Sequence, residues 1–374
     1  MQINIASILQ SLKSLKFPKR KQEVIGIDIG SYAIKLVYLK KSAGKWSLIR
    51  WGMIPYGEDI PLDTALADRS PQAVTALQTY LKTADFPVKK AATSISGNSV
   101  IVRYVKMARM PAEELLKSLK FEAEPYIPFN IEDVNLSFSI LGDVVEEGQP
   151  QMETVLVAAK KESVDLRVDL LKEAGLQPAI LDIDAFAIEN VYEQIAPPPQ
   201  TDTVLVMNLG ASLTNMSIIE KGLSKVVRDV FIGGNSFTKA LQRQFQCDVK
   251  TAEQKKFTYG LIEDSPEPEA QQVSEVLAPV ARDLLVEIQR SIDFYVSQGT
   301  DRTINKILLC GGTANLKMLD QYLNRELKVP VEIFNPFSFV QNPPVDLSDE
   351  QRSLLPQMAI AAGLAVRYAG DTPA

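Results

Sequence analysis

The chain of 374 residues contains no histidine. That absence removes a large class of chemistry. It leaves no Ser–His–Asp or Cys–His nucleophile pair and no histidine-ligated zinc. Only two cysteines occur, Cys247 and Cys310, far apart in sequence. They form no CxxC spacing and no disulfide framework, and they read as reduced, buried thiols. No apolar run reaches the ~18–20 residues of a membrane-spanning helix. The N-terminus lacks a signal-peptide apolar core and cleavage site, so the body of the protein is expected in the cytoplasm. A basic surplus is missing too. The formal net charge is −6, which argues against nucleic acid as a partner. Neither a P-loop (GxxxxGK followed by Ser or Thr) nor a dinucleotide-binding GxGxxG is present, so those nucleotide folds have no support.

What is present is an ordinary globular composition, 46% apolar and 23% charged, long enough for two or three domains and a sizeable core. Residues 1–22 stand apart. Ile5, Ile8, Leu9, Leu12 and Leu15 share a helical stripe, a run of lysines follows, and no acid precedes Glu23. This reads either as an interfacial helix on an anionic leaflet or as a docking tail. Residues 24–29 and 33–40 read as a buried strand and its hairpin partner across Gly30-Ser31-Tyr32, followed by a strand at 46–51, a helix at 71–85 and a strand at 91–95. Residues 99–179 carry a β-α-β-β-α order, with an acidic loop at 142–151 and a helix at 162–174 capped by Gly175. That order suggests an inserted α+β subdomain. After a stiff Pro197-Pro198-Pro199 linker the chain starts again.

The restart is a repeat. VIGIDIGSYAIKLVYL in the first half and VLVMNLGASLTNMSII in the second are both strand, glycine turn, strand, with Gly30 and Gly210 in the same place. A third strand, ILLC, runs into Gly311-Gly312-Thr313. Glycines at strand ends let a backbone approach a ligand with no Cβ in the way, and the duplication points to a whole copied domain. The chemistry that fits is phosphate recognition by backbone N–H groups. Asp28, at a strand end, is the candidate Mg²⁺ carboxylate, or else a turn cap. Lys35 in the next strand offers a point charge to phosphate, or is a solvated strand lysine. The segment Pro125-Tyr126-Ile127-Pro128-Phe129 is either a peptide-binding surface or ordinary packing beneath a helix end.

These residues resemble the actin, sugar-kinase and heat-shock-chaperone ATPase superfamily. GIDIGSYAIK (26–35) resembles its first phosphate motif, NLGAS (208–212) the second, and CGGTANL (310–316) its adenosine motif. ILDIDAFAIENV (180–191) is similar to its connecting helix, and FIGGNSFTKAL (231–241) to the phosphate-proximal turn and helix of the second half. The early insertion resembles the FtsA-like branch. On MPAEELLKSLKFEAEPYIPFNIEDVNLSFSILGD (110–143), AGLQPAILDIDAFA (174–187) and RDVFIGGN (228–235), the chain further resembles the PilM family of type IV pilus assembly proteins, over about residues 22–370.

The resemblance implies an α/β fold of duplicated, actin-like (ribonuclease H-like) domains with an inserted FtsA-like α+β subdomain. Residues 23–98 plus 180–200 would form the first core (1A), with a C-terminal helix at 354–370 packing back on it. Residues 99–179 would form the inserted subdomain (1C), 201–247 plus 300–345 the second core (2A), and 248–299 a smaller subdomain (2B). It implies ATP and Mg²⁺ as cofactors, with Asp28 on the metal. Gly30, Ser31, Tyr32, Lys35, Gly210, Ala211, Ser212, Gly233, Gly234, Asn235, Gly311, Gly312 and Thr313 would contact the nucleotide, and Glu253 and Lys256 would reach ribose and adenine, unless they are an exposed helix pair. It implies a cytoplasmic protein at the inner membrane that holds the N-terminal tail of PilN between 1A and 1C. It would also meet other platform and motor components, and would touch the membrane through partners, with residues 1–22 a second candidate contact. Two further readings stay open: an FtsA-like filament former and a sugar-kinase-like phosphotransferase. The chain departs from the pattern at Asn208, where the second phosphate motif usually has an acid. Asn cannot act as a base, so tight binding with slow or absent hydrolysis is expected. Asp184 is the candidate for positioning the attacking water, or a helix N-cap.

Overall fold

A computed structural model of the protein describes residues 22–57, 61–62, 64–146, 148–196, 201–262, 264–299 and 301–371. The basic N-terminal stripe and the triple-proline linker lie outside the described residues, as does residue 147 of the acidic loop at 142–151.

In chain order, a two-residue strand β1 (Gln22–Glu23) precedes the strands β2 (Ile25–Ile29), β3 (Ala33–Ser42) and β4 (Lys45–Pro55). Helix α1 (Leu66–Ala84) and strand β5 (Lys90–Ile95) follow. Next come β6 (Val100–Ala108), α2 (Ala112–Ala123), β7 (Val134–Glu146) and β8 (Gln149–Lys160), then α3 (Lys161–Glu173), β9 (Gln177–Ile183) and α4 (Asp184–Ile195). The second half runs β10 (Thr203–Leu209), β11 (Thr214–Glu220), β12 (Leu223–Val230), α5 (Gly234–Phe245), α6 (Val249–Tyr259), α7 (Pro268–Ser297) and β13 (Lys306–Cys310). It ends with α8 (Leu319–Leu327), β14 (Val331–Ile333), α9 (Asp349–Leu354), α10 (Ala359–Ala365) and β15 (Tyr368–Ala369).

Two five-stranded sheets carry the architecture, in the orders β4-β3-β2-β5-β9 and β12-β11-β10-β13-β14. In each, the first three strands form an antiparallel meander, and the first strand then pairs parallel with the fourth, which pairs parallel with the fifth. The topology is therefore the same strand for strand, as the repeated sequence motif requires. The first strands, β2 and β10, are buried along their whole length, which is why they read as unbroken apolar runs.

Alternation along β2 and β3 splits their side chains between two cores. Ile25, Ile27, Ile34 and Leu36 face Leu77 of α1 and Leu170 and Leu171 of α3. Val37 and Leu39 face the opposite way, into a central layer built from α4, α10 and Val204, Val206 and Leu308 of the second sheet. Each fully buried Leu or Ile contributes ~1.5–3 kcal/mol of transfer free energy. The other face of the second sheet packs on α5 and α7. The central layer is tight: a Cβ on Gly363 of α10 would lie 1.6 Å from the Ala187 carbonyl oxygen of α4, and one on Gly26 would lie 2.0 Å from the Ala361 carbonyl oxygen.

Four expectations shift. Helix α3, read as part of the insertion, buries its leucines in the core of the first sheet; the separate core of the insertion is formed by β6, α2, β7 and β8. Residues 248–299 do not bury a core of their own, because Ala252, Val273, Leu277 and Ile288 pack with Leu205 and Met207 of the second sheet. The C-terminal helix expected at 354–370 is broken. Pro356 cannot continue the hydrogen-bond ladder of α9, a 3-10 turn spans Leu355–Met358, and α10 is short. The acidic loop at 142–151 is largely paired, with Asp143 opposite Met152 and Val145 opposite Pro150.

Candidate functional site

The duplicated topology brings two copies of one turn to face each other. Gly30 N donates to Ala33 O at 3.1 Å, and Gly210 N donates to Leu213 O at 3.0 Å. Both turns line a cavity of about 640 Å³ between the halves. The second turn is fastened by Gly234 N and Thr313 Oγ1, each 2.9 Å from Gly210 O, and by Asn235 N, 2.7 Å from Ala211 O. The start of α5, with its partial positive charge, is thereby held at the cavity. Gly311 closes β13 at φ +86°, a left-handed conformation, and a Cβ there would lie 2.4 Å from Leu209 O; only glycine meets both demands.

Of the residues singled out from sequence, Asp28, Gly30, Ser31, Tyr32, Lys35, Asp184, Gly210, Ala211, Ser212, Gly234, Asn235, Glu253, Lys256, Gly311, Gly312 and Thr313 all line this cavity. Gly233 does not. It sits behind the second turn, where a Cβ would lie 2.6 Å from Ala211 O, and so it lets α5 come close.

The duplicated position before each turn differs in charge. In the first half, Asp28 Oδ2 pairs with Lys35 Nζ at 2.9 Å, and both are largely buried. In the second, Asn208 Nδ2 donates to Asn215 Oδ1 at 2.9 Å. Asp28 pairs with Lys35 across β2–β3, and Asn208 with Asn215 across β10–β11. The chain of bonds continues from Asn215 Nδ2 to Asp229 Oδ1 at 2.7 Å, and Asp229 Oδ2 accepts from Gly97 N at 2.6 Å. Burial raises the pKa of Asp229 against the pull of both bonds.

Asp184 opens α4 but does not cap it; the capping position is Ile183. Its Oδ1 accepts from Ser94 Oγ at 2.6 Å. Burial first, and the charge of Asp28 second, push its pKa up to about 6, against hydrogen bonds from Ser94 and Ser96 and the charge of Arg167. Glu253 and Lys256 are not an exposed pair. Lys256 is 2% exposed. It pairs with Glu253 Oε1 at 2.5 Å and donates to Thr238 Oγ1 at 2.9 Å. Burial lowers its pKa, and Glu253 opposes that.

Sequence reading missed Arg69, Arg167, Asn215 and Lys317, which also line the cavity. Arg69 Nη1 donates to Ser31 O at 2.6 Å and Arg167 Nη1 to Ile29 O at 2.8 Å, so two helices grip the first turn. Neither arginine carries a local signal, since each lies in a mixed polar helix. Asn215 was findable, as the register partner of Asn208.

A polyphosphate fits these residues. The lining has glycine-rich turns, cations and, at Arg69 Nε, a buried donor with no partner among the described residues. A divalent ion fits less completely, since no group of three or more His, Cys, Asp or Glu is gathered among the described residues. Asp28 would hold Mg²⁺ with water and phosphate as the other ligands.

A second cavity, of about 570 Å³, shares Ile95, Ser96 and Asp184 with the first. Its walls are the β5–β6 connection, Ile101, Arg103 and Phe129 of the insertion, and Val227, Asp229 and Phe231 of the second half. β6 and β12, both edge strands, flank it. In the segment 125–129, Ile127 is core to the insertion, while Phe129 lines this cavity beneath Lys160, whose Nζ is 5.0 Å from the ring centre. The insertion is tied to the second half by Tyr104 Oη–Ser224 Oγ at 2.6 Å and Lys225–Glu153 at 3.0 Å, and Ser224 Oγ goes on to donate to Glu189 Oε1 of α4 at 2.7 Å. Burial drives the pKa of Glu189 up to about 7, with Asp182 adding to it and Ser224 and Ser217 opposing. Among the described residues, no helix is long and apolar enough to cross a membrane.

Comparison with known proteins agrees with this geometry. The family model described as type IV pilus assembly protein PilM matches residues 26–369. The structure of a PilM–PilN type IV pilus biogenesis complex matches with a TM-score of 0.80 and 29% identity, covering 92% of this chain and 98% of that one. The ethanolamine utilization protein EutJ of Carboxydothermus hydrogenoformans matches with a TM-score of 0.51 and 15% identity, covering 97% and 99% of the two chains. MreB5 of Spiroplasma citri bound to AMPPNP matches with a TM-score of 0.51 and 13% identity, covering 92% and 95%. These last two share the actin-like fold.

Proposed function

The chain belongs to the family of type IV pilus assembly protein PilM, and from that premise we propose that it is an ATP-binding, actin-like scaffold of the pilus inner-membrane platform whose nucleotide state sets its grip on the cytoplasmic tail of a PilN-type partner. One observation carries the nucleotide reading: two copies of the same glycine turn face one cavity, with a carboxylate before the first (Asp28) and an amide before the second (Asn208). When bound, Mg²⁺ neutralises phosphate charge and polarises the phosphoryl group. The protein's own residues hold and shield. The turns cradle phosphates, the start of α5 supplies positive charge, Lys35 holds Asp28 in place, and Gly311–Thr313 with Glu253 and Lys256 accommodate the nucleoside. Asn208 accepts no proton at neutral pH, which leaves Asp184 as the group able to orient water. Turnover is accordingly slow.

The partner reading is supported by the similarity to a PilM–PilN complex and by the second cavity, which lies where the first core, the insertion and the second half meet. The tail would lie there in contact with Ile101, Phe129 and Phe231, where edge strand β6 can add an extended peptide. Cleft closure is a hinge motion that would reshape this cavity. Such a protein works at the cytoplasmic face of the inner membrane.

The test is a titration with Mg-ATP, a phosphate-release assay on the same samples, and the Asp28→Ala variant alongside. Binding should weaken ~10–100-fold in the variant, the scale of a lost charge-assisted contact. Phosphate release should stay near background. Absence of binding overturns the nucleotide reading, and rapid Asp184-dependent release overturns slow turnover. Equal affinity for a PilN-tail peptide with and without Mg-ATP overturns the gating.

A further inference from the structure

The cavity is positively charged in a chain whose formal net charge is −6. Two of its lysines are neutralised in place, Lys35 by Asp28 and Lys256 by Glu253. What remains among its ionic residues is Arg69, Arg167 and Lys317 against Asp184 alone. Arg69 is 7% exposed, and its Nε has no partner among the described residues. Nearby Tyr56, whose ring centre is 5.2 Å from the Arg69 guanidinium, also has an unpartnered buried oxygen. The two arginines bond carbonyl oxygens only two residues apart, Ile29 and Ser31; Arg69 feels the charge of Arg167, and Asp184 in part offsets Arg167. Two like charges gathered at one turn, Arg69 buried and Arg167 half-buried, are costly unless an anion joins them.

From this cluster we propose that Arg69 and Arg167 form a two-pronged seat for the terminal phosphate of the nucleotide, through which the protein distinguishes triphosphate from diphosphate. The inference rests on the nucleotide reading above and adds its recognition element. Position supports the terminal phosphate over the others. Both guanidiniums reach the first-half turn, while Gly311–Thr313, Glu253 and Lys256 belong to the second-half wall where the nucleoside would sit. A phosphate chain running from the second half towards the first ends at the arginines. Planar guanidinium forks match phosphate oxygens in a way that a lysine does not, and each is already fixed by one bond to the turn, so little further ordering is needed on binding.

The experiment compares equilibrium affinities for ATP, ADP and AMP, all with Mg²⁺, in the unaltered protein and in Arg69→Gln and Arg167→Gln. Affinity for ATP should fall ~10–100-fold, that for ADP much less, and that for AMP not at all, so the ATP-to-ADP preference collapses. Should a Gln variant fail to fold, Arg69→Lys or Arg167→Lys keeps the charge, loses the fork and still lowers the ATP-to-ADP ratio. An equal loss for all three nucleotides would show that the arginines only brace the turn, and would overturn the proposal. So would an unchanged ratio. If the unaltered protein binds no nucleotide, the functional reading itself falls and this inference with it; a protein that binds ATP but keeps its ratio in the variants overturns this inference alone.

Discussion

The backbone N–H of Gly97 donates to one oxygen of Asp229, and the other oxygen takes the amide of Asn215. Asn215 lines the cavity between the halves, while Gly97 and Asp229 line the cavity beside the insertion. One carboxylate of the second half thus spans both cavities, at the loop where the chain leaves the first sheet for the inserted one.

Asp229→Ala removes this link without touching a phosphate turn. Binding of Mg-ATP alone should survive, and binding of a PilN-tail peptide alone should weaken only modestly, because Asp229 lines that cavity with both oxygens already bonded to Gly97 and Asn215. Their mutual effect, of the ~5–150-fold size usual for linked sites, should fall to about onefold. Isothermal titration of the peptide with and without Mg-ATP measures it. A ratio unchanged from the unaltered protein removes Asp229 from the coupling.

Asn208→Asp puts an acid before the second glycine turn, in a place now tuned for an amide. Asn208 donates to Asn215 Oδ1, and Asn215 must keep its own amide on Asp229. A carboxylate there faces an acceptor, and an amide flip at Asn215 would only pass the conflict to Asp229. One buried group goes unsatisfied either way, at ~1–3 kcal/mol. The melting temperature should drop in the absence of metal and recover with Mg-ATP. An undiminished melting temperature would contradict the bonding pattern described.

The strands and glycine turns were legible because their signals are local: β2, β10 and β13 are apolar runs that stop at glycines. The duplication was legible because both copies kept the same order. Arg69 and Arg167 were not. Each sits in a helix of mixed polarity, and only the fold brings both to Ile29 and Ser31. The allegiance of α3 was hidden for the same reason, since its apolar stripe shows that it packs but not against which sheet. Pro356 is itself a local signal for a break, and it overrides the continuous helix that the resemblance implied over 354–370.

Glu189 makes stability depend on pH. Its folded-state pKa of about 7 lies above the ordinary 4.5, so the folded protein keeps a proton that the unfolded chain releases. The stabilisation is full below about 4.5 and is lost as the pH rises through about 7. Glu189→Gln imitates the protonated form beside Ser217 and Ser224. Its melting temperature should match the unaltered protein near pH 4.5 and exceed it near pH 8, by at most ~3 kcal/mol in stability. Parallel melting curves across that range would count against a shifted Glu189.

The tight seat of α10 against Gly26 and Ala187 has a consequence for the order of events on the ribosome. A growing chain is available to fold from its beginning, yet the inner face of the first sheet is covered by residues 359–365, which are made after every strand of both five-stranded sheets. Until they emerge, Val37 and Leu39 have no helix α10 to lie against. The first copy of the repeat is synthesised long before the second, but it matures only once residues 359–365, which follow both sheets, have emerged, so the molecule acquires both halves of its cleft together.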